Sequence, residues 1–558
     1  MRAILLLLAV LVGFAAEGAS LQSATGTNGA IATVDRIASQ AGIDAMRKGG
    51  NAVDAAVAAA LTLGVVNGYN SGIGGGCFIL IRQSNGEVLC VDGRETAPAA
   101  ATRDMYLRRG KADPRLSQFG ALASGTPGAL AAYDLALKSA GKLTLREHLL
   151  AAAQIAEDGF RIDAHYAAAL RDSRGDLARF PATAAVYLKG GGAPYREGEI
   201  LRQPDLARTY RAIAEKGTGW FYGGPFAEAV EAWMKANHGL MTAADLKGYR
   251  AILRPPISTD YRGYTVVSFP PPSSGGVHLL EILNILDSPR FSERRLTESD
   301  RVHIEAEAMK LAFADRAYWL GDPDFAAVPR GLISKEYART LADKINLAKA
   351  VSVPTHGTPG DLEAFPKHTT HVSAADAAGN WVALTATVNT HFGSKVVVPG
   401  TGVTLNNEMD DFSAQPGAAN YFGLIGGEAN AIAPGKRPLS SMTPTIVLKN
   451  AQPVLAVGAA GGPTIITATL EVLLDVVDLG MDAQTAIDRP RFHHQWSPDE
   501  LKVEKTMAPA LIANLKKRGH VVRKVGALAV AQAVGIGPGG EGFVGAADPR
   551  AGGTALAW

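Results

Sequence analysis

The stretch KHTTHVSAADAAGNWVALTATVNTHFG, residues 367–393, decides the fold of this 558-residue chain. Two strand-like runs meet at residues 376–380, where Gly379 stands at the position of a three-residue loop that favours a left-handed backbone. In that hairpin Thr369 lies directly opposite Thr387, with Cβ atoms about 5 Å apart. The stretch therefore predicts an antiparallel pair of strands with two threonine hydroxyls at its open end.

Thr369 follows a turn-rich segment, residues 349–367, which predicts a flexible surface loop. Strand propensity is one explanation of a threonine at this point. The other is that the chain is cut before Thr369. A threonine hydroxyl needs a base to take its proton, and an N-terminal residue carries one in its own α-amino group, whose ordinary pKa is about 7.7–8.0. A flexible segment that ends at a strand beginning with Thr is what such self-cleavage requires.

The composition is that of a globular protein, with 47% hydrophobic and 19% charged residues. A net charge of +2 and the lack of a basic stripe indicate no nucleic-acid partner. Residues 1–18 read as a signal peptide, with one Arg before an apolar run; cleavage after Gly18 or after Ser20 fits, and an uncleaved anchor is the alternative. Since no later apolar run reaches about 18 residues, we expect an exported protein, periplasmic or extracellular, without a stable membrane anchor.

Helical patterns dominate the first two thirds of the chain, and strand patterns dominate after Thr369. Apolar residues at three- and four-residue spacing predict helices over the following stretches: 37–64 with a break at 49–51, 277–286, 299–319 and 464–479.

The two cysteines flank the stretch CFILIRQSNGEVLC, in which the Asn-Gly dipeptide at 85–86 predicts a two-residue hairpin turn. That register places Cys90 opposite Ile81 and Cys77 opposite Arg94, so the cysteines would lie roughly 13 Å apart along the strands. A disulfide needs Cα atoms within about 7 Å of each other. We therefore expect no disulfide.

A series of motifs, in order from about residue 28 to the C-terminus, resembles the γ-glutamyltranspeptidase family. The motifs are GGNAVDAAVAAALTLGVV, SGIGGGCF, VDGRETAPA, PPPSSGG, GDPDF, HTTHVSAAD, VNTHFGSKVV, LNNEMDDFSAQPG, GKRPLSSMTPTIV, GAAGGPTIITATL and DRPRFHHQW. The resemblance implies an N-terminal-nucleophile hydrolase of the α+β class, with a four-layer αββα sandwich. It also implies an inactive precursor that cuts itself before Thr369. The large subunit, residues 19–368, and the small subunit, residues 369–558, would stay together as a heterodimer and form the sandwich jointly.

The activity that the resemblance implies is that of a γ-glutamyltransferase and glutathione hydrolase. Such an enzyme cleaves the γ-glutamyl amide of glutathione and related compounds through a γ-glutamyl-Thr ester, and passes the acyl group to water, an amino acid or a dipeptide. Two alternatives stay open. One is a relative with another acyl group, such as a glutaryl-cephalosporin acylase or a poly-γ-glutamate enzyme; the other is a non-catalytic exported binding protein that never matures.

For the chemical step, the resemblance implies Thr369 as the nucleophile and Thr387 as its hydroxyl partner. The backbone N–H groups of Gly461 and Gly462 would form the oxyanion hole. Glycine suits this place because the main chain must closely approach the tetrahedral intermediate. A helix predicted to start at Thr464 would add the positive end of its dipole.

Recognition of a zwitterionic α-amino acid needs a cation for the carboxylate and acceptors for the ammonium. Arg94 matches the family's carboxylate-binding arginine, and a guanidinium suits a planar carboxylate; without the resemblance it would be read as a surface arginine paired with Glu95. The other matching residues are Ser440 and Ser441 for the carboxylate, Glu408 and Asp411 for the ammonium, and Asn389 at the same end. The acids lack the spaced ligands and the glycine of a calcium loop, so we expect no metal, and the chemistry needs no cofactor.

The stretch QPGAANYFGLIGGEANAIAPGKRP matches the family's mobile lid over the site. Well-known bacterial members have a Tyr that closes over the substrate, whereas this chain has Phe422, preceded by Tyr421. A phenyl ring keeps the apolar cover but lacks the hydroxyl. The missing hydroxyl affects the hydrogen bond to Asn389 that closes the lid, and with it the balance between hydrolysis and transfer.

Overall fold

A computed structural model of the protein describes residues 22–360 and 372–558. Within these residues the α-helices, in chain order, are α1 (Arg36–Arg47), α2 (Ala52–Val66), α3 (Pro114–Gln118), α4 (Ala129–Ala140), α5 (Leu145–Asp158), α6 (Ala164–Leu177), α7 (Pro181–Tyr187), α8 (Pro204–Lys216), α9 (Gly219–Tyr222), α10 (Pro225–Ala236), α11 (Ala243–Gly248), α12 (Ser274–Leu286), α13 (Pro289–Ser292), α14 (Glu298–Trp319), α15 (Lys335–Ala342), α16 (Thr464–Leu479), α17 (Ala483–Asp488) and α18 (Pro509–Lys517).

The strands, also in chain order, are β1 (Ser23–Gly26), β2 (Gly29–Thr33), β3 (Gly76–Arg82), β4 (Val88–Gly93), β5 (Leu107–Arg108), β6 (Lys111–Ala112), β7 (Phe160–Arg161), β8 (Ile200–Leu201), β9 (Ile252–Arg254), β10 (Ile257–Tyr261), β11 (Tyr264–Ser268), β12 (Ser373–Asp376), β13 (Trp381–Thr387), β14 (Thr445–Lys449), β15 (Gln452–Ala460), β16 (Phe492–His493), β17 (Leu501–Glu504), β18 (Val522–Val525), β19 (Val530–Ile536), β20 (Phe543–Ala547) and β21 (Thr554–Ala557).

Two seven-stranded antiparallel sheets form the centre of the protein. The first has the order β1-β20-β19-β15-β14-β11-β10, and the second has the order β21-β2-β12-β13-β3-β4-β9. The two sheets pack face to face. Each of them takes strands from residues 22–360 and from residues 372–558.

Helices cover both outer sides of the paired sheets. α1, α2, α4 and α5 pack on the outer face of the second sheet in one large apolar cluster. α12 and α16 cover the first sheet, and α14 packs on α12. The order helix, sheet, sheet, helix confirms the predicted α+β class and the four-layer αββα sandwich.

The predicted helices are present with small shifts at their ends. The break near residue 49 separates α1 from α2, because Gly49 has a φ of +96° and Asn51 begins α2 as its N-cap. The Asn51 side chain accepts from the backbone of Asp54, whose carboxylate in turn accepts from the N-cap N–H. The other predicted helices appear as α12, α14 and α16, and α16 has the predicted limits.

The hairpin of β12 and β13 has the predicted register. Ser373 pairs with Ala383 and Ala375 with Trp381, and Gly379 has a φ of +92° in the three-residue loop. Thr369 lies outside the described residues, and so does its predicted pairing with Thr387.

The predicted register of the β3–β4 hairpin is wrong by one residue. Cys90 pairs with Leu80, not with Ile81. The loop holds three residues, 84–86, because Gln83 N donates to Glu87 O at 2.8 Å. Gly86, with a φ of +92°, is the last residue of this loop.

Both cysteines are buried and neither is in a disulfide, so the expectation of no disulfide is confirmed. Cys77 pairs with Gly93, not with Arg94 as predicted. Cys77 belongs to the apolar cluster on the outer face of the second sheet, and Cys90 belongs to the cluster between the sheets. The two thiols therefore point to opposite faces of one sheet.

The N-terminal residues 1–21, including the predicted signal peptide 1–18, lie outside the described residues. In the remainder that is described, no helix is both long and apolar enough to cross a membrane. Residues 349–360, the described part of the predicted flexible loop, contain neither helix nor strand.

Candidate active site

A cavity of about 630 Å³ lies where β13, β15 and the start of α16 meet the long connection between β13 and β14. Nine residues that the sequence predicts as site residues line it: Thr387, Asn389, Glu408, Asp411, Phe422, Ser440, Ser441, Gly461 and Gly462. Arg94 is not in the cavity wall, and Thr369 lies outside the described residues. Tyr69, His165 and Asp172 also line the cavity.

Thr387 stands at the end of β13, opposite Gly76 on β3. Its Oγ1 accepts a hydrogen bond from Asn389 N at 2.7 Å. Asn389 has a φ of +78°, and its side-chain Nδ2 donates to Asn407 O at 2.9 Å. A non-glycine residue in this backbone region is strained. The two bonds hold Asn389 in this conformation beside Thr387 at the cavity wall.

Gly461 and Gly462 form the turn between β15 and α16, with φ values of +144° and +60°. A Cβ at Gly461 would lie 2.8 Å from Ala529 Cα, so the turn has no room for a side chain there. Neither glycine N–H has a partner within the described residues. Thr464 Oγ1 donates to Gly461 O at 2.7 Å and fixes the turn. Two free N–H groups at the positive end of a helix can hold a negatively charged oxygen.

The lid rests directly on this glycine turn. A Cβ at Gly462 would lie 2.5 Å from Cδ1 of Phe422, so the phenyl ring covers the turn. Asn420 Oδ1 accepts from Phe422 N at 3.0 Å and fixes the ring's backbone. Asp410 Oδ2 accepts from Tyr421 N at 3.0 Å and ties the lid to its base. The sequence prediction gave Asp410 no role, although it stands between the two assigned acids of the NNEMDD motif.

Arg94 is completely buried behind the cavity wall, so the reading of a surface arginine is wrong. Its Nη1 donates to Glu408 Oε1, and its Nη2 donates to Asp411 Oδ2 at 2.6 Å. Its Nε donates to Pro438 O at 3.0 Å. Glu95 Oε2 lies 3.7 Å from Nη1, and both Glu95 oxygens lack a hydrogen-bond partner among the described residues. One guanidinium thus faces three carboxylates.

The excess of acids in this cluster shifts their protonation. Burial raises the pKa of Glu408 to about 8, although Arg94 opposes the shift. Burial also raises the pKa of Asp411, and it raises the pKa of Glu95 well above its usual range, with the Glu408 charge adding to the effect. At neutral pH we expect one or more of these acids to carry a proton.

Ser440 and Ser441 are buried in the loop before β14, and both reach the cavity. Ser440 Oγ accepts from Met442 N at 3.2 Å. Ser441 Oγ accepts from Nη2 of Arg316, a buried arginine on α14, at 3.3 Å. Because each hydroxyl oxygen accepts within the protein, its own hydrogen is available to a ligand. The sequence prediction did not include Arg316.

A group of metal-ligating side chains in the described part of the chain is formed by His303, Glu307 and His520. His303 Nδ1 lies 2.7 Å from His520 Nε2, which is a hydrogen-bond distance and shorter than the roughly 3.3 Å that separates two nitrogens on one tetrahedral Zn²⁺. Glu307 pairs with the ammonium of Lys310 at 2.7 Å. The contacts are those of a hydrogen-bonded polar cluster.

Comparison with known proteins gives the relationship. The family model described as Gamma-glutamyltranspeptidase matches residues 38–558. The chain belongs to this family. It is 45% identical to the glutathione hydrolase proenzyme of Escherichia coli (strain K12), over 94% of this chain and 90% of that protein. It is 43% identical to the glutathione hydrolase proenzyme of Pseudomonas sp. (strain A14), over 88% of this chain and 86% of that protein.

A similar solved structure is the cephalosporin acylase from Bacillus halodurans, with a TM-score of 0.86 and 31% identity. The match covers 99% of both chains. Glutathione hydrolases and acylases therefore both occur among the relatives of this gamma-glutamyltranspeptidase family member.

Proposed function

We propose that the protein is a γ-glutamyltransferase and glutathione hydrolase. The observation that carries the proposal is the content of one cavity. The acids Glu408 and Asp411 and the donors Ser440 and Ser441 line it together with the glycine turn at the start of α16. One cavity can thus hold the zwitterionic amino-acid end of a small substrate and the oxyanion that develops at its carbonyl.

Binding of the γ-glutamyl end involves an exchange of partners. In the free protein Arg94 is neutralised by Glu408 and Asp411. The substrate α-carboxylate would take Asp411's place on Arg94 and accept from the serine hydroxyls, while Asp411 turns to the α-ammonium. Each charge then keeps a partner of opposite sign, which a buried site requires. The part of the cavity wall formed by Tyr69 and His165 would hold the departing peptide and the acceptor.

The chemical step follows from an N-terminal threonine. The α-amino group of Thr369 takes the proton of its own hydroxyl, and Oγ attacks the γ-amide carbonyl. The N–H groups of Gly461 and Gly462 hold the oxyanion. The C–N bond breaks, the proton passes to the leaving amine, and the γ-glutamyl ester remains on Thr369. Water, an amino acid or a dipeptide then resolves the ester, and no cofactor or metal is needed.

Maturation would require a cut before Thr369. The products are a large subunit ending at residue 368, which begins at residue 19 if the signal peptide 1–18 is removed, and a small subunit, residues 369–558. Export to the periplasm or beyond the cell follows from the same signal peptide. The intact masses of the purified, denatured protein test the cut, and the N-terminal sequence of the larger piece tests the signal cleavage.

The substitution Thr369→Ala tests the nucleophile. We expect one uncut chain without activity on γ-glutamyl-p-nitroanilide or glutathione, because neither the hydroxyl nor the new N-terminus exists. The neighbouring Thr370→Ala is the matched control and should be cut into two chains. A Thr369→Ala protein that is still cut at this bond would remove Thr369 as the nucleophile.

An acylase for glutaryl groups is the second candidate, because a cephalosporin acylase shares the fold. A glutaryl group lacks the α-ammonium, so Asp411 would gain no cation in exchange when the glutaryl carboxylate takes its place on Arg94. We therefore expect kcat/KM to be higher for γ-glutamyl-p-nitroanilide than for glutaryl-p-nitroanilide. The reverse order would favour the acylase.

A further inference from the structure

Arg316 lies on α14, in the FADRAYW segment, and is buried, with 5% of its surface exposed. The ordinary explanation of a buried arginine is a salt bridge, but Arg316 has no carboxylate within ion-pair distance in the described part of the chain. Burial lowers the pKa of Arg316 to about 10, although the charge of Asp411 opposes the shift. At neutral pH the guanidinium therefore stays charged, and no acid of the described residues lies in direct contact with it.

The contacts of Arg316 go to the two loops that build the serine end of the cavity. Its Nη2 donates to Ser441 Oγ at 3.3 Å, and its Nε donates to Ser274 Oγ at 3.0 Å. Ser274, in the PPPSSGG motif at the start of α12, donates from Oγ to Ser440 O at 2.7 Å. Ser274 N donates to the same oxygen at 2.8 Å. One guanidinium thus holds both serines, directly in one case and through Ser274 in the other.

The hydroxyl of Ser441 has one hydrogen and two lone pairs. Because Arg316 donates to its oxygen, the remaining hydrogen is directed to another acceptor, and Ser441 lines the cavity. The same guanidinium adds positive charge at the serine end. Glu408 and Asp411, which both contact Arg94, line the same cavity and can accept from an ammonium.

We propose that Arg316 is a positioning residue for recognition of the substrate α-carboxylate, acting through the hydroxyl of Ser441 and the backbone of Ser440. The proposal rests on the proposed function, since it assumes a γ-glutamyl substrate. In this arrangement the positive serine end receives the α-carboxylate, and the acids receive the α-ammonium. The positions of the serine hydroxyls and of the acids fix the direction in which the substrate enters.

The experiment compares two chromogenic substrates that differ in the α-carboxylate. γ-L-Glutamyl-p-nitroanilide carries this group, and 4-aminobutyryl-p-nitroanilide has hydrogen in its place. The variants are Arg316→Met, Arg316→Lys and, as a matched control, Arg82→Met. Arg82 is another buried arginine that bonds backbone carbonyls, at Gly379 O and Ala451 O, away from the cavity.

For Arg316→Met we expect KM for the γ-glutamyl substrate to rise roughly tenfold or more, with a smaller change in kcat. The ratio of kcat/KM for the two substrates should fall by the same factor, and Arg82→Met should keep the wild-type ratio. Ser441→Ala should lower the ratio too. The double variant Arg316→Met/Ser441→Ala should lower the ratio by a factor smaller than the product of the two single-variant factors, because both substitutions act on one contact.

Equal losses on both substrates would overturn the proposal, since they would indicate a structural role for Arg316. A wild-type protein that does not prefer the γ-glutamyl substrate would instead refute the proposed function. If Arg316→Met does not mature, Ser274→Ala takes its place, because it removes one contact of the guanidinium and leaves the charge. An unchanged substrate ratio in both Ser274→Ala and Arg316→Lys would likewise overturn the proposal.

Discussion

Replacing Arg94 by methionine should destabilise the protein as well as impair binding. Arg94 is the buried cation beside Glu95, Glu408 and Asp411, whose side chains are 0%, 1% and 13% exposed. Removing one partner of a buried ion pair costs about 3–5 kcal/mol, because the remaining charge has no compensation. Here three acids are left, so we expect a loss of stability within or above that range at pH 8.

The loss should depend on pH, because protonation relieves carboxylates that have no cation. In the variant the folded-state pKa values of the three acids are raised further above their unfolded values near 4. Their cost is therefore absent below that pH and grows as the pH rises through the folded values. The thermal midpoint, measured by circular dichroism at one scan rate, should fall by more at pH 8 than at pH 5.

A charge-balanced variant separates stability from binding. Arg94→Met combined with Glu408→Gln removes one cation and one acid together, and should recover part of the thermal midpoint. KM for γ-glutamyl-p-nitroanilide should nevertheless stay raised by roughly tenfold or more, since the carboxylate has lost its guanidinium. A wild-type midpoint for Arg94→Met at pH 8 would refute the account of the acid cluster.

Three further changes test other parts of the site and of the core. Gly462→Ala adds a Cβ where φ is +60° and the Phe422 ring lies 2.5 Å away. In a protein that still matures, kcat should fall by roughly 10²-fold or more. A wild-type rate would contradict the role of this turn as the oxyanion hole. Thr387→Val keeps the shape but removes the acceptor of Asn389 N, so kcat/KM should fall by roughly 5- to 10-fold; an unchanged value would show that the bond is dispensable. Burial lowers the pKa of His520 to about 3, so its contribution to stability is present above pH 6.5 and is lost as the pH falls toward 3. His520→Gln should therefore flatten the fall of the thermal midpoint between pH 7 and pH 5. An unaltered slope would exclude this histidine as a source of the pH dependence.

The helices were predictable because their signals are local. Residues 464–479 show a helical spacing and follow a glycine turn, and α16 has those limits. The hairpin at 376–380 was predictable for the same reason. At 85–86 an Asn-Gly dipeptide suits a two-residue turn, but it equally suits the end of a three-residue loop. β3 also pairs with β13, a strand some 300 residues later, and no local pattern reports that pairing.

The residues that line the cavity were predictable from family motifs, whereas their partners were not. The burial of Arg94 depends on Glu408, which is 314 residues away in the chain. The contacts of Arg316 depend on Ser274 and Ser441, which are 42 and 125 residues away. A helix pattern indicates which side of α14 is apolar, but it does not indicate which buried charge meets a distant loop.

Both central sheets contain strands from before and from after Thr369, and this determines whether folding involves one molecule or two. The uncut chain brings all fourteen central strands together within one molecule, so its folding rate does not depend on concentration. After a cut before Thr369, two pieces separated by denaturant would have to collide before either sheet could be completed. Refolding would become second order and would slow on dilution. A cut enzyme would then persist in dilute surroundings through slow unfolding, since reassembly would rarely keep pace.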